Sequence, residues 1–168
     1  MTSPGRYANI SSEREKKGLK KMKTYNVKPV TAKKPADSKE WAIAEFYGIA
    51  RSAHDSKAYN TNSDVETGSK NISVKSDGFT LMSANFTKGA TDFDEIWTYY
   101  RKTVHSDTFA YVTNDYTVYE MNIDEFETFV YAFCNLQAES QKNGGGLKIR
   151  CKHESKKMVA WLKNKTEN

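Results

Sequence analysis

The densest group of chemically capable side chains lies in the stretch SDVETGSKNISVKS, residues 63–76. Asp64, Val65 and Glu66 read as a short strand, Thr67 to Asn71 as a turn, and Ile72 to Ser76 as the returning strand. Side chains alternate along a strand, so Ser73 and Lys75 share one face, and Asp64 and Glu66 share one. A carboxylate and an ammonium that converge on one point suit phosphodiester hydrolysis. Carboxylates hold Mg²⁺ or Mn²⁺, the ion polarises a phosphoryl oxygen and activates water, and a lysine orients that water or steadies the developing charge. A structural alternative stands beside this. Asp64 and Glu66 would merely open an exposed strand, and Lys75 would be a charge that discourages edge pairing.

A second group precedes the hairpin. The segment RSAHDSKAYN, residues 51–60, reads as a loop offering Arg51, His54 and Lys57 where a substrate-contacting loop would lie. His54 titrates in the range useful for proton transfer. His105 and His153 have no partner at metal spacing, and Cys134 and Cys151 form no ligand framework and are expected as buried thiols. No Walker loop, dinucleotide glycine pattern or nucleophile elbow is present.

These groups need a scaffold, and its elements are legible as periodicities. Ser38 can cap a helix carrying Trp41, Ile43, Ala44 and Phe46 to Ile49. Asp77-Gly78 signals a tight turn before a third strand, Phe79 to Met82. Phe93, Ile96, Trp97, Tyr100 and Val104 follow helical spacing, with Thr91 or Asp92 as the cap. Strands Phe109 to Thr113 and Tyr116 to Met121 follow, joined through Asn114-Asp115 as a two-residue loop. Asn122 and Glu125 make a capping box. It opens a long helix carrying Ile123, Phe126, Phe129, Val130, Phe133 and Cys134, which Asn143 to Gly146 would stop. A strand from Leu147 to Lys152 and a basic helix from Ser155 to Lys163 complete the chain. The expected fold is α/β, a mixed central sheet flanked by helices.

A hairpin carrying D…xK after a helix, in the order α-β-β-β-α-β, resembles the core of the PD-(D/E)xK nuclease superfamily, which is restriction-endonuclease-like. The similarity spans residues 38–121, with the C-terminal helices and strand as an elaboration. The resemblance implies Asp64 as the metal-binding acid and Lys75 as the motif lysine. It implies Glu45 on the preceding helix as an additional acid, with Glu40 as a second candidate. The sequence departs from the pattern at Ser73, where the superfamily usually carries Glu or Asp, and has no proline before Asp64. Glu45 or Glu66 would then supply the missing charge on Mg²⁺ or Mn²⁺, or the site is silent.

Charge is strongly segregated along the 168 residues. Residues 1–40 hold 11 Lys/Arg against 4 Asp/Glu, residues 41–141 hold 7 against 15, and residues 142–168 hold 8 against 2. Clustered cations suit a polyanion, because neutralising phosphates releases counterions. Lys16, Lys17, Lys20 and Lys21 near the start and Lys148, Arg150 and Lys152 near the end are the candidate nucleic-acid contacts, with Arg51, His54 and Lys57. The alternative is a solubilising tail and a solvated helix face. Residues 1–37 read as a basic flexible arm and 38–168 as one α/β domain. The polar, basic start lacks the apolar stretch of a secretory signal, and no apolar run approaches the roughly 18 residues of a membrane span, so a cytoplasmic protein is expected.

Three functions follow from these features. The first is a metal-dependent DNA endonuclease or nickase, for which a homodimer is compatible. The second is a catalytically inactive nuclease-like protein that binds nucleic acid, or that blocks a DNA-handling protein through its acidic centre, as small phage or mobile-element proteins do. The third is an interaction module without a nucleic-acid role.

Overall fold

The computed structural model describes residues 22–31, 35–49, 63–81, 92–138 and 145–166. In chain order the elements are β1 (Lys23–Asn26), α1 (Pro35–Phe46), β2 (Val65–Glu66), β3 (Asn71–Ser76), β4 (Thr80–Leu81), α2 (Phe93–Thr103), β5 (Thr108–Val112), β6 (Thr117–Met121), α3 (Ile123–Phe133), β7 (Cys134–Ala138), β8 (Leu147–Cys151) and α4 (Lys156–Thr166). The class is mixed α/β, but the strands form two sheets. One has five strands in the order β1-β6-β5-β3-β2, and the other has three in the order β4-β8-β7. All neighbours are antiparallel except β3 and β5, which run parallel, with the chain passing through β4 and α2 between them.

The five-stranded sheet buries both faces, and strand alternation assigns them. Val65, Ile72, Ala110, Val112 and Val118 point toward α1, where Ala42, Ile43 and Ala44 complete a small aliphatic core with Val27. Phe109, Tyr111, Tyr119 and Met121 point the other way, into an aromatic core shared with α2, α3, α4 and the three-stranded sheet. Phe126 is its centre, with its ring stacked on Phe109 at 4.5 Å and 4°.

Two helices follow their sequence signals closely. Asp92 caps α2 by accepting the Glu95 N–H at 2.9 Å, and Ile96, Trp97 and Tyr100 form its buried stripe. Asn122 and Glu125 form the reciprocal box at the start of α3, each bond 2.8 Å. Asn122→Ala should therefore lower stability by about 1 kcal/mol. The urea midpoint reads this, and an unmoved midpoint would show the box to be idle.

Elsewhere the chain departs from its pattern. Part of the segment read as a flexible arm supplies edge strand β1, paired with β6 from Lys23↔Glu120 to Asn26↔Thr117, and Met22 and Val27 join the cores. Helix α1 begins at Pro35, before Ser38, because proline is pre-set for the first helical position. Ser38 Oγ instead donates to the Val30 carbonyl at 2.7 Å. The third strand turns away from the hairpin after Asp77-Gly78 and pairs with β8. The β5–β6 loop has four residues, Thr113 to Tyr116, with Tyr116 at φ +65 donating its N–H to the Thr113 carbonyl. The ring of Tyr116 packs on the aliphatic core, which offsets the left-handed strain.

The long helix expected after Asn122 ends at Phe133, and β7 starts at the next residue. Helical spacing from Val130 and Phe133 requires an apolar side chain at position 137, and Gln137 is polar, so the periodicity stops there. Gly145 and Gly146, read as part of a helix stop, instead precede β8 with positive φ. Cys134 and Cys151 are buried free thiols directly opposite each other across β7 and β8.

Candidate functional site

The hairpin brings Asp64, Ser73 and Lys75 together. Val65 pairs with Ile72, which sets Asp64 beside Ser73, and the Asp64 N–H bonds the Ile72 carbonyl at 2.8 Å. The Asp64 carboxylate is anchored, since its Oδ2 accepts the Val74 N–H at 2.7 Å. Lys75 lies on the aromatic face, opposite Tyr111 in the parallel register, with its Nζ 5.9 Å from the ring centroids of both Phe79 and Tyr100. Burial pushes the Lys75 ammonium down, and the carboxylates of Asp64 and, more weakly, Glu40 only partly offset it. The residue as a whole is half-buried, and its ammonium lies near two aromatic rings.

The position of the missing acid is occupied in a different sense. Ser73 is 5% exposed and lies near Tyr100, whose phenol burial pushes up. Glu45 is exposed on α1, and that helix covers the other face of the sheet. Glu66 is exposed, opposite Asn71. Glu40 is the helix carboxylate whose field reaches Lys75. Among the described residues no three His, Cys, Asp or Glu side chains gather where they could hold an ion. The donor set therefore does not fit Mg²⁺ or Mn²⁺, which need several oxygen ligands at one point.

The basic candidates divide by position. Lys16, Lys17, Lys20, Lys21, Arg51, His54 and Lys57 lie outside the described residues. Lys148, Arg150 and Lys152 are on or beside β8, the middle strand of its sheet. Ile149 and Cys151 are buried in the aromatic core, so alternation puts the three cations on the opposite face. Successive cations along this row are about 6.8 Å apart. Their cross-strand neighbours are polar: Arg150 lies between Asn135 and Thr80, and Lys148 lies beside Gln137. Among the described residues Arg150 and Lys152 have no ion-pair partner. Trp161 packs against Phe129 and Phe133 at 5.8 and 5.6 Å, as its helical spacing with Met158 and Leu162 predicts.

A further constellation escaped the sequence reading. Glu120, 5% exposed in β6, accepts from the hydroxyls of Tyr25 and Tyr47 and from Lys70 Nζ at 2.7 Å. Burial pushes its carboxyl up, but the bonds from Lys70, Tyr25 and Tyr47 together outweigh it and hold the carboxyl below its ordinary range. Lys23 and Lys70 each donate to the Tyr47 oxygen at 3.2 Å. The available signal was Glu120 itself, an acid two residues after the inward-pointing Val118 on a strand. Its partners are 50 to 95 residues away in sequence, so no local pattern names them.

Compared with known proteins, the chain matches no family model, no curated protein and no solved structure. Among the described residues no helix is long and apolar enough to cross a membrane.

Proposed function

We propose that the protein binds nucleic acid and does not cut it. The observation that carries this reading is the outward row Lys148, Arg150 and Lys152 on β8, set among Thr80, Asn135 and Gln137. A sheet face that alternates cations with amide and hydroxyl groups offers phosphate neutralisation together with hydrogen-bond contacts to the backbone or base edges. Asp64 and Lys75 keep the nuclease-like pairing of an acid and a lysine, but Ser73 stands where the second acid would be, and among the described residues no three His, Cys, Asp or Glu side chains gather to hold an ion. Positioning without hydrolysis is the chemistry left to such a site.

Two measurements test this. Titration of duplex DNA at several salt concentrations should give a linear log–log plot. Replacing Lys148, Arg150 and Lys152 together by alanine should flatten its slope by about 2 to 3, since each phosphate contact contributes about 0.9. An unchanged slope removes β8 from the interface. Plasmid incubated with Mg²⁺ or Mn²⁺ should stay supercoiled. Nicking that disappears in Asp64→Ala would overturn the silent site and restore the hydrolytic reading.

A further inference from the structure

The edge of the five-stranded sheet carries an aromatic platform remote in sequence from β8. Phe46, the last residue of α1, is 45% exposed, and its ring stacks on Tyr25 of β1 with centroids 3.9 Å apart and planes 10° from parallel. Tyr47 meets both rings edge-on, at 5.2 and 6.1 Å. Hydrogen bonds hold the platform in place. The hydroxyls of Tyr25 and Tyr47 are both tied to the buried Glu120, which Lys70 pins from its other oxygen. Lys23, exposed on the same strand as Tyr25, places its ammonium 5.8 Å from the Phe46 centroid and 5.0 Å from that of Tyr47.

We infer that Phe46 is a stacking site for an unpaired nucleobase, with Lys23 beside it for the adjoining phosphate, so that this edge selects single-stranded nucleic acid. One face of Phe46 is covered by Tyr25, and with 45% of the residue exposed a further ring can be received against it. Base–aromatic stacking tolerates any sequence because every base has a π-face, and a flanking cation supplies the charge complement. Bases in a duplex are already stacked on their neighbours and cannot reach the platform. Holding the rings in place beforehand removes ordering cost at binding. The inference rests on the nucleic-acid reading above and gives it a strand preference.

The test uses the full chain with a labelled oligothymidylate and a duplex of equal length. Phe46→Ala should weaken oligothymidylate binding about tenfold, within the range for loss of one stacked base, and leave duplex binding within about twofold. Phe46→Leu, which keeps the apolar bulk but not the ring, should be as weak as Phe46→Ala. Phe46→Trp should retain binding, and its added fluorescence should be quenched by the oligonucleotide. Lys23→Ala should flatten the single-strand salt slope by about 0.7. If Phe46→Ala and Phe46→Leu bind oligothymidylate like the parent, the platform is overturned. Duplex binding that still depends on Lys148, Arg150 and Lys152 would then leave the wider reading standing. A parent that binds neither probe overturns both.

Discussion

Replacing Glu120 with alanine should cost about 2–3 kcal/mol, because its lysine partner is partly exposed, and that is still a large share of the stability of a marginally stable domain. The carboxylate is buried and joins three donors from three parts of the chain: Tyr25, Tyr47 and Lys70. Alanine leaves two part-buried hydroxyls without their acceptor and the Lys70 ammonium without its charge partner, and each unmet group adds a desolvation cost. Glu120→Gln keeps the shape and one acceptor and should lose less. Urea unfolding reads both, and a loss below about 1 kcal/mol for the alanine variant would show that the network contributes little. The pH dependence has a definite sign. The Glu120 carboxyl is held below its ordinary range in the folded state, so its contribution is complete above the unfolded value near 4.5 and is lost as pH falls through the folded one. Lys70, held above its ordinary 10.5, contributes fully below that value and loses its contribution as pH rises through its folded one. The network should therefore weaken from both ends of the pH scale.

Lys75→Met should do the opposite and raise stability by about 1 kcal/mol at neutral pH, because burial disfavours the charged form of this half-buried side chain. The ammonium lies 5.9 Å from the rings of Phe79 and Tyr100, and Asp64, the carboxylate that acts on it most, already accepts the Val74 N–H. Methionine has nearly the same length and no desolvation cost, and Asp64 keeps its backbone donor. Burial holds the Lys75 titration below its ordinary 10.5, so the unfolded chain binds more protons between the folded value and 10.5. Parental stability should then rise with pH across that window, and the advantage of Lys75→Met should shrink toward 10.5. Thermal melts of the two proteins across alkaline pH measure it. A variant less stable than the parent at neutral pH would show that Lys75 is held by more than the structure describes. A gain would mark Lys75 as a residue kept at a cost in stability, which is what a positioning role at a binding site would leave behind.

The parts of this fold legible in sequence are those whose causes are local. Asp92 and the Asn122/Glu125 box start helices through bonds three residues long, and the stripes of α2 and α3 repeat within two turns. The convergence of Asp64 and Lys75 also followed from a hairpin of local range. Strand β1 was hidden because Lys23, Thr24, Tyr25 and Asn26 contain one aromatic among polar residues, and it exists only through pairing with β6. Strand β4 is two residues long, and its sheet membership is decided by Arg150 and Ile149. Ser73 read as a lost acid, but its burial near Tyr100 depends on how α2 crosses the sheet, which no hairpin pattern contains. The same limit hid the Glu120 network and the stacking of Tyr25 on Phe46.

The junction between α3 and β7 has no connecting residue: Phe133 closes the helix and Cys134 opens the strand. The rotational phase of the helix is thereby geared to the choice of strand face. With Phe133 inward, Cys134 faces Cys151, and Asn135 and Gln137 are delivered to the side that carries Arg150 and Lys148. A single inserted residue would turn the strand over, moving Cys134 and Leu136 to the basic face and the amides to the face of Ile149. Length variation among sequences sharing this architecture should accordingly be tolerated in the β5–β6 loop and purged at position 133/134, so that the helix serves as the ruler for the surface beside it.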